Sequence, residues 1–188
     1  MVNPVRRICM SMMAAGVVCF LVSCVQQTDP AQKTGQDAGK LKDPLITANK
    51  HLVENEDAMI NDFIQRYQWN MNQTPSGLRW MVYRPGAGAE VKPGDRVSLK
   101  YSLKLLDGSL VYSSESDGNK VFIQGKNEVE KGLDDGILFL KEGDLAKFII
   151  PSHLAFGLLG DQHKIPARAT LIYDIEVVSV NSESVNNQ

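Results

Sequence analysis

The sequence predicts an α+β fold in which an antiparallel sheet packs on one short helix, preceded by an N-terminal amphipathic helix. Three observations lead to this prediction. Apolar and polar residues alternate over residues 97–105 and 171–177, which is typical of strands with one buried face. Residues 128–140 carry apolar side chains at helical spacing, and so do residues 46–69. The order of strands, one short helix and further strands indicates a sheet packed on a helix.

The strands are separated by turn signals. An Asp-Gly pair at residues 107–108 is a strong hairpin signal, so we expect residues 110–113 to return beside residues 97–105. Residues 145–150 form a further apolar run that ends at Pro151. The last predicted strand is the alternating segment 171–177.

The helix inside the domain is predicted over residues 128–140 and ends at Lys141-Glu142-Gly143. Its apolar face is formed by Val129, Leu133, Ile137 and Leu140.

The N-terminal helix is predicted from about Ile46 to Trp69, and Pro75 and Gly77 punctuate the segment after it. Two interpretations stay open. The helix either packs on the following domain or forms a dimer interface. The apolar stripe on which both depend consists of Leu52, Met59, Ile60, Phe63, Ile64 and Tyr67.

The first 24 residues have the features of an export signal. Arg6 and Arg7 precede an apolar run over residues 10–22, which is too short for a membrane span of about 20 residues. Residues 21–24 (Leu-Val-Ser-Cys) resemble a bacterial lipobox, which predicts lipid attachment at Cys24. The alternative is an uncleaved signal anchor with Cys24 as an ordinary thiol.

These features divide the chain into five parts. Residues 1–23 are the predicted lipoprotein signal peptide. Residues 24–45 are rich in Gln, Thr, Asp, Lys and Gly and are predicted to be a flexible tether. Residues 46–75 hold the amphipathic helix and a linker, residues 76–182 the folded domain, and residues 183–188 a C-terminal tail.

Composition argues against several classes of function. The net charge is −2 without a basic block, which disfavours nucleic acid as a partner. The three histidines are dispersed, so no metal-ligand spacing occurs, and we expect neither a metal nor a cofactor. No serine or cysteine lies in a nucleophile-elbow context. All three cysteines lie within residues 1–24, so the folded part has no disulfide.

An ordered series of motifs covers residues 94–177 almost without gaps. In this series the chain resembles the FKBP-type peptidyl-prolyl isomerases, and together with its lipobox and helix it is similar to the lipoprotein isomerases associated with bacterial gliding motility. The motifs are Gly94-Asp95-Arg96-Val97, Tyr101, Leu106-Asp107-Gly108, Tyr112-Ser113-Ser114, Gly125-Lys126-Asn127-Glu128-Val129, Lys131-Gly132-Leu133, Ile150-Pro151, Leu154-Ala155-Phe156-Gly157, Ile165-Pro166, Ala169-Thr170-Leu171 and Asp174-Ile175-Glu176.

The resemblance implies a twisted antiparallel sheet wrapped on one short helix, with a proline pocket between them. By the same resemblance, the backbone N–H of Glu130 is expected to donate to the substrate carbonyl beside the proline, and Leu133 is expected to form the floor where many relatives carry tryptophan. Tyr112 also belongs to the implied catalytic set. The implied pocket walls are Tyr101, Val111, Phe122, Val129, Leu133, Phe156, Ile165 and Tyr173. Plain core packing explains the inward strand positions among them equally well.

The chain departs from the family pattern at three places. Val111-Tyr112 stands where a Phe-Asp pair is usual, and Phe156 stands where a tyrosine usually supplies a hydroxyl donor. Residues 161–164 replace the usual apolar loop. The pocket keeps its shape-forming residues and loses two polar groups, which favours slow turnover.

The sequence therefore predicts a prolyl isomerase that assists folding of exported or envelope proteins. Its partners are proline-containing polypeptide clients and a membrane held through lipid on Cys24, and it is a monomer or a helix-mediated dimer. We expect it to face the periplasm, with the outer membrane favoured because Val25 rather than aspartate follows the lipid cysteine. The alternatives are a non-catalytic, lipid-anchored module that binds proline-containing peptides and a chaperone of an envelope complex.

Overall fold

The computed structural model describes residues 37–182, with side chains from residue 46 onward. The predicted signal peptide, the lipid site at Cys24, most of the tether and the C-terminal tail lie outside the described residues. The chain divides into two units, Met1–Lys42 and Asp43–Gln188. The described part of the first unit is helical, and the second unit contains the sheet.

Seven strands and three α-helices make up the described chain. In chain order they are α1 (Asp37–Tyr67), β1 (Asn72–Gln73), β2 (Arg79–Arg84), β3 (Asp95–Leu105), β4 (Leu110–Ser113), α2 (Ser114–Asp117), β5 (Lys120–Ile123), α3 (Lys131–Gly136), β6 (Leu145–Ile150) and β7 (Leu171–Ser182), with short 3₁₀ turns at Ile137–Phe139 and Ser152–Leu154. None of the helices described between residues 37 and 182 is long and apolar enough to cross a membrane.

All strand pairs are antiparallel, in the order β1-β2-β6-β7-β3-β4. The long strand β3 pairs with β7 on one side and shares its other edge between two short strands. Its first half pairs with β5 and its second half with β4. Between these partners the backbone of Tyr101 is held by the Ser114 hydroxyl, which accepts from its N–H at 3.1 Å. This gap in the sheet edge lies beside the candidate pocket.

The core lies between the sheet and helix α3, which confirms the predicted fold class. The helix is shorter than expected. It begins at Lys131, after Glu130 as N-cap residue, and ends at Gly136, where a 3₁₀ turn continues to Phe139. Leu133, Ile137 and Leu140 are buried as predicted, but Val129 precedes the helix. The apolar residues continue at helix-like spacing through the 3₁₀ turn. Periodicity alone therefore overestimated the length of the α-helix.

Helix α1 starts at Asp37, nine residues before the predicted start at Ile46, so residues 37–45 are helical instead of tether. The low apolar content of these residues predicted a tether, but helix formation does not require an apolar face. The helix ends where Gln68 takes a left-handed conformation (φ 54°).

Only part of the predicted apolar stripe faces the sheet. Ile60 and Phe63 are buried against Ile149 of β6 and Ile172 of β7. The interpretation that helix α1 packs on the following domain is therefore confirmed for this part of the helix. The side chains of the stripe that stay exposed are Leu52, Met59 and Tyr67.

Strands β1, β2 and β5 are absent from the sequence prediction, and β1 lies in the segment predicted to be linker. Strand β2 shows why. Its one buried side chain is that of Arg79, which faces α1 and is 2% exposed. The guanidinium pairs with Asp57 of α1 and donates to the Gly77 carbonyl at 2.6 Å. A buried charge needs such a partner, and a partner on another element leaves no signal in local periodicity.

Candidate functional site

The predicted pocket residues all belong to one apolar cluster or pack directly against it. Val111, Phe122, Leu133, Ile165 and Tyr173 are buried in the cluster. Around them lie the partly exposed side chains of Tyr101, Tyr112, Val129 and Phe156. The floor of the site is thus closed and its rim is accessible.

Elements that are far apart in the sequence position these side chains. Strands β3, β4, β5 and β7 supply Tyr101, Val111, Phe122 and Tyr173, and α3 supplies Leu133. Val129 lies just before α3. The 151–170 segment between β6 and β7, here called the pocket loop, supplies the last two walls, Phe156 and Ile165. The side chains on the four strands and α3 are held in place by the sheet and its packing. The positions of the two loop residues depend on how the loop is anchored.

Tyr101 and Tyr173 line one side of the site with ring centroids 6.0 Å apart. Lys120 lies over both rings, with its Nζ 5.3 Å from the Tyr101 centroid and 5.9 Å from that of Tyr173. Burial raises the pKa of the Tyr101 phenol, and the nearby carboxylates of Asp117 and Glu130 raise it further. The phenol therefore stays protonated at neutral pH and remains a hydrogen-bond donor.

The side chain of Glu130 adds a buried carboxylate that the sequence analysis missed. The Tyr173 hydroxyl donates to Glu130 Oε1 at 3.0 Å, and Lys120 Nζ lies 3.8 Å from the same oxygen. Burial, followed by this carboxylate, raises the pKa of Tyr173 well above its usual value. Glu130 Oε2 is buried and has no hydrogen-bond partner in the described chain. The family resemblance implied a role only for the backbone of Glu130. The acidic residue type was the one sequence feature that could have indicated a role for its side chain.

Tyr173→Phe is expected to lower the free energy of unfolding by about 1–3 kcal/mol, because the buried carboxylate of Glu130 loses its donor. Replacing both partners by apolar groups removes the unpaired atom, so Tyr173→Phe/Glu130→Leu should recover most of that loss. Urea unfolding of the two single variants and the double variant measures the coupling. A double variant as unstable as the sum of the two single variants would show that the pair does not interact.

Tyr112, which stands where the family usually has aspartate, forms a hydrogen bond with the pocket loop. Its hydroxyl donates to Asp161 Oδ2 in the pocket loop. This hydrogen bond raises the pKa of Tyr112. Partial burial raises the pKa of Asp161, but the hydrogen bonds from Tyr112 and from two backbone N–H groups outweigh it and hold the pKa below its usual value.

Asp161 also organises the loop itself. Its Oδ1 accepts from the backbone N–H of His163 at 2.9 Å and from that of Ile165 at 2.7 Å. Lys164 donates to the Val111 carbonyl at 3.1 Å and thereby joins the loop to β4. The two departures from the family pattern, at Tyr112 and at residues 161–164, are therefore partners of one another.

The lining of this site is mainly apolar. Across residues 46–182, no group of three or more His, Cys, Asp or Glu side chains is placed to hold a metal ion. The arrangement offers aromatic and aliphatic walls together with a few hydrogen-bond donors.

An antiparallel sheet packed on a short helix around one apolar cluster, with partly exposed aromatic side chains at its rim, is the architecture of a prolyl-binding domain of the isomerase class. A family model described as FKBP-type peptidyl-prolyl cis-trans isomerase matches residues 88–178. The chain belongs to this FKBP-type family, which confirms the FKBP-type resemblance of residues 94–177.

Known relatives and structures agree with this assignment. The probable FKBP-type isomerase FkpA of Neisseria meningitidis is 35% identical over 109 residues, which cover 58% of this chain and 40% of that protein. FK506-binding protein 2 of Debaryomyces hansenii is 40% identical over 98 residues, covering 52% of this chain and 72% of that protein. The crystal structure of AtFKBP13 superposes with a TM-score of 0.57 at 32% identity, covering 59% of this chain and 98% of that one. The chain thus spans less than half the length of its Neisseria relative.

Proposed function

We propose that this protein catalyses cis–trans isomerisation of Xaa–Pro bonds in exported or envelope proteins. The observation that carries the proposal is the backbone N–H of Glu130. None of the hydrogen bonds in the described chain engages it, although it lies beside Val129 at the pocket rim and directly precedes α3. A free donor at this point is what the family resemblance requires for a substrate carbonyl.

The chemistry needs no nucleophile and no cofactor. Resonance holds the Xaa–Pro amide planar, with a rotation barrier of about 18–20 kcal/mol. A pocket that grips the proline ring and excludes water destabilises the planar amide, and a fixed donor favours the twisted form. The partly exposed side chains of Tyr101, Val129 and Phe156 above the buried apolar cluster, together with the Glu130 N–H, supply these two parts.

Phe156→Ala is expected to lower kcat/KM for a Leu-Pro or Phe-Pro peptide about tenfold, the scale of losing a hot-spot aromatic contact. The ring is partly exposed at the rim, so the fold should survive the change. Protease-coupled cis-to-trans isomerisation with the purified full chain is the measurement. Phe139→Ala is the control, because Phe139 is an exposed phenylalanine that stacks on Trp80 outside the pocket. Equal activity of both variants would remove Phe156 from the site, and an inactive parent protein would remove the isomerase proposal.

The second candidate is a non-catalytic module that binds proline-containing segments. It is favoured by the Tyr112–Asp161 bond, which uses a pocket-rim hydroxyl for loop structure instead of substrate contact. Peptide binding without rate acceleration, lost in Phe156→Ala, would support this candidate over the enzyme.

The proposed location is the periplasmic face of an envelope membrane, with outer-membrane sorting favoured, held through lipid on Cys24. The lipobox-like residues 21–24 and the similarity to lipoprotein isomerases support this proposal. Incorporation of labelled fatty acid, abolished in Cys24→Ser, is the expected result. Labelling that persists in the variant would place the lipid elsewhere.

The oligomeric state is proposed to be a monomer or a dimer through helix α1. Burial of Ile60 and Phe63 against the sheet uses part of the stripe, and exposed Leu52 and Met59 remain for a second copy or a client. Sedimentation equilibrium decides between the two states. A monomer mass that does not change with concentration would exclude the dimer. It would also exclude a chaperone in which the dimer holds the domains of two copies apart.

A further inference from the structure

A single carboxylate of helix α1 joins the two ends of the pocket loop. Glu56 Oε1 accepts from the Ser152 backbone N–H at 2.7 Å and from the Thr170 hydroxyl at 2.6 Å. Its other oxygen, Oε2, accepts from the Ser152 hydroxyl at 2.8 Å. Ser152 lies at the start of the loop, just after β6, and Thr170 immediately precedes β7. The loop is therefore closed at its base by a residue that belongs to neither strand.

This contact is buried and fully formed. Glu56, Ser152 and Thr170 are 8%, 7% and 4% exposed. A buried carboxylate with three donors is strongly held, because hydrogen bonds to a charged acceptor are about twice as strong as neutral ones. Loss of the carboxylate leaves buried donors of the loop base without a partner.

The neighbouring contacts of α1 hold the same turn of the helix in place. Asp57 pairs with the buried Arg79 of β2, and one turn later Ile60 packs on Ile149 and Ile172. Ile149 and Ile172 lie in β6 and β7, the two strands that the pocket loop connects. Glu56 is thus presented to the loop base by a helix that is itself anchored to both strands.

Tyr112 and Lys164 join the middle of the loop to β4, whereas Glu56 holds both ends of its base. Within the loop, the backbone N–H of Arg168 donates to the Gly157 carbonyl at 2.7 Å, and the backbone N–H of Asp161 donates to the Ile165 carbonyl at 3.1 Å. These bonds shape the loop without fixing its base relative to the sheet. The walls Phe156 and Ile165 lie between the two anchored ends, so their position depends on the base.

We propose that Glu56 is a positioning residue for the prolyl pocket, and that helix α1 is consequently a part of the binding apparatus. This inference rests on the proposed function, because it assigns the loop walls to substrate binding. Glu56 touches no substrate and acts through the loop.

The test compares Glu56→Ala, Glu56→Gln and Glu54→Ala in the purified full chain. Glutamine can accept from Ser152 N and the Thr170 hydroxyl through Oε1 and donate to the Ser152 hydroxyl, so it should preserve the loop. Glu54 is an exposed acidic residue on the same helix that pairs with Lys50, which makes it the matched control. Amide hydrogen exchange of Asp161 and Arg168 in the loop is compared with that of the central strand β3.

Glu56→Ala should speed loop exchange by at least about tenfold while β3 exchange is unchanged, as expected for local opening. With a Phe-Pro peptide, KM should rise about fivefold at nearly constant kcat, since uniform binding is lost. Glu56→Gln and Glu54→Ala should resemble the parent protein in both measurements.

Two results would overturn the proposal: equal acceleration of loop and β3 exchange in Glu56→Ala, or unchanged loop exchange in that variant. The first would make Glu56 a general stabilising residue, and the second would make the contact dispensable. If the parent protein accelerates no peptide, the isomerase proposal fails while the exchange measurement still decides the positioning role.

Discussion

Gly160→Ala is expected to lower kcat/KM about a hundredfold, the scale of an active-site displacement of about 1 Å. Gly160 has φ 66°, and a Cβ there would lie 2.2 Å from the Ile165 carbonyl oxygen and 2.8 Å from the Pro166 carbonyl carbon. Both neighbours are backbone atoms, so the loop itself has to move. The displaced residue Ile165 is one of the pocket walls.

A neighbouring glycine supplies the control for this prediction. Gly157 also has a left-handed φ, 61°, but a Cβ there meets no atom within 4 Å. Gly157→Ala therefore adds the left-handed backbone cost, roughly 1–2 kcal/mol, without a clash. Peptide turnover and urea unfolding of both variants separate the two effects. Equal loss of activity in both would trace the effect to backbone strain and would contradict displacement of Ile165.

Leu133→Asp is expected to unfold the protein. Leu133 is completely buried in the core against the sheet. A carboxylate at this position has no partner, and burying it costs several kcal/mol, a large fraction of the usual stability of about 5–15 kcal/mol. Loss of activity in this variant therefore reports on folding, and the partly exposed Phe156 is the better probe of the site.

Circular dichroism and urea unfolding measure the effect of Leu133→Asp. Leu159→Asp is the matched control, because Leu159 is 76% exposed and the new carboxylate stays in water. A folded Leu133→Asp protein with near-parent stability would mean that Leu133 is accessible to solvent, as an open pocket floor would be.

Local pattern predicted much of the sheet. Strand β6 has the predicted bounds, and the Asp107-Gly108 turn lies between β3 and β4 as expected, with Gly108 at φ 86°. Alternation of apolar and polar residues predicts these strands because an apolar side chain can be buried against any apolar surface and needs no specific partner. Strand β5 has only four residues, which is too short for a periodic signal.

The pocket walls were predicted through family resemblance, and the structure groups them around one cluster. The polar part of the site was not predicted. The pairing of Tyr173 with Glu130 and that of Tyr112 with Asp161 join residues 43 and 49 positions apart. The resemblance placed Tyr112 in the catalytic set and marked residues 112 and 161–164 as departures. It did not pair them, because their chemistry is defined by partners on other elements.

The sequence by itself determined the fold class, the strands with alternating faces, and membership of the FKBP-type family. These follow from local periodicity and ordered motifs, for which no particular distant partner is needed. Only the tertiary structure decided where charges are buried: Arg79 in β2, Glu130 in the pocket and Glu56 at the base of the loop. Glu56 meets donors 96 and 114 residues away. A buried charge is stable only with a specific partner at hydrogen-bond distance, and the folded chain alone brings such partners together.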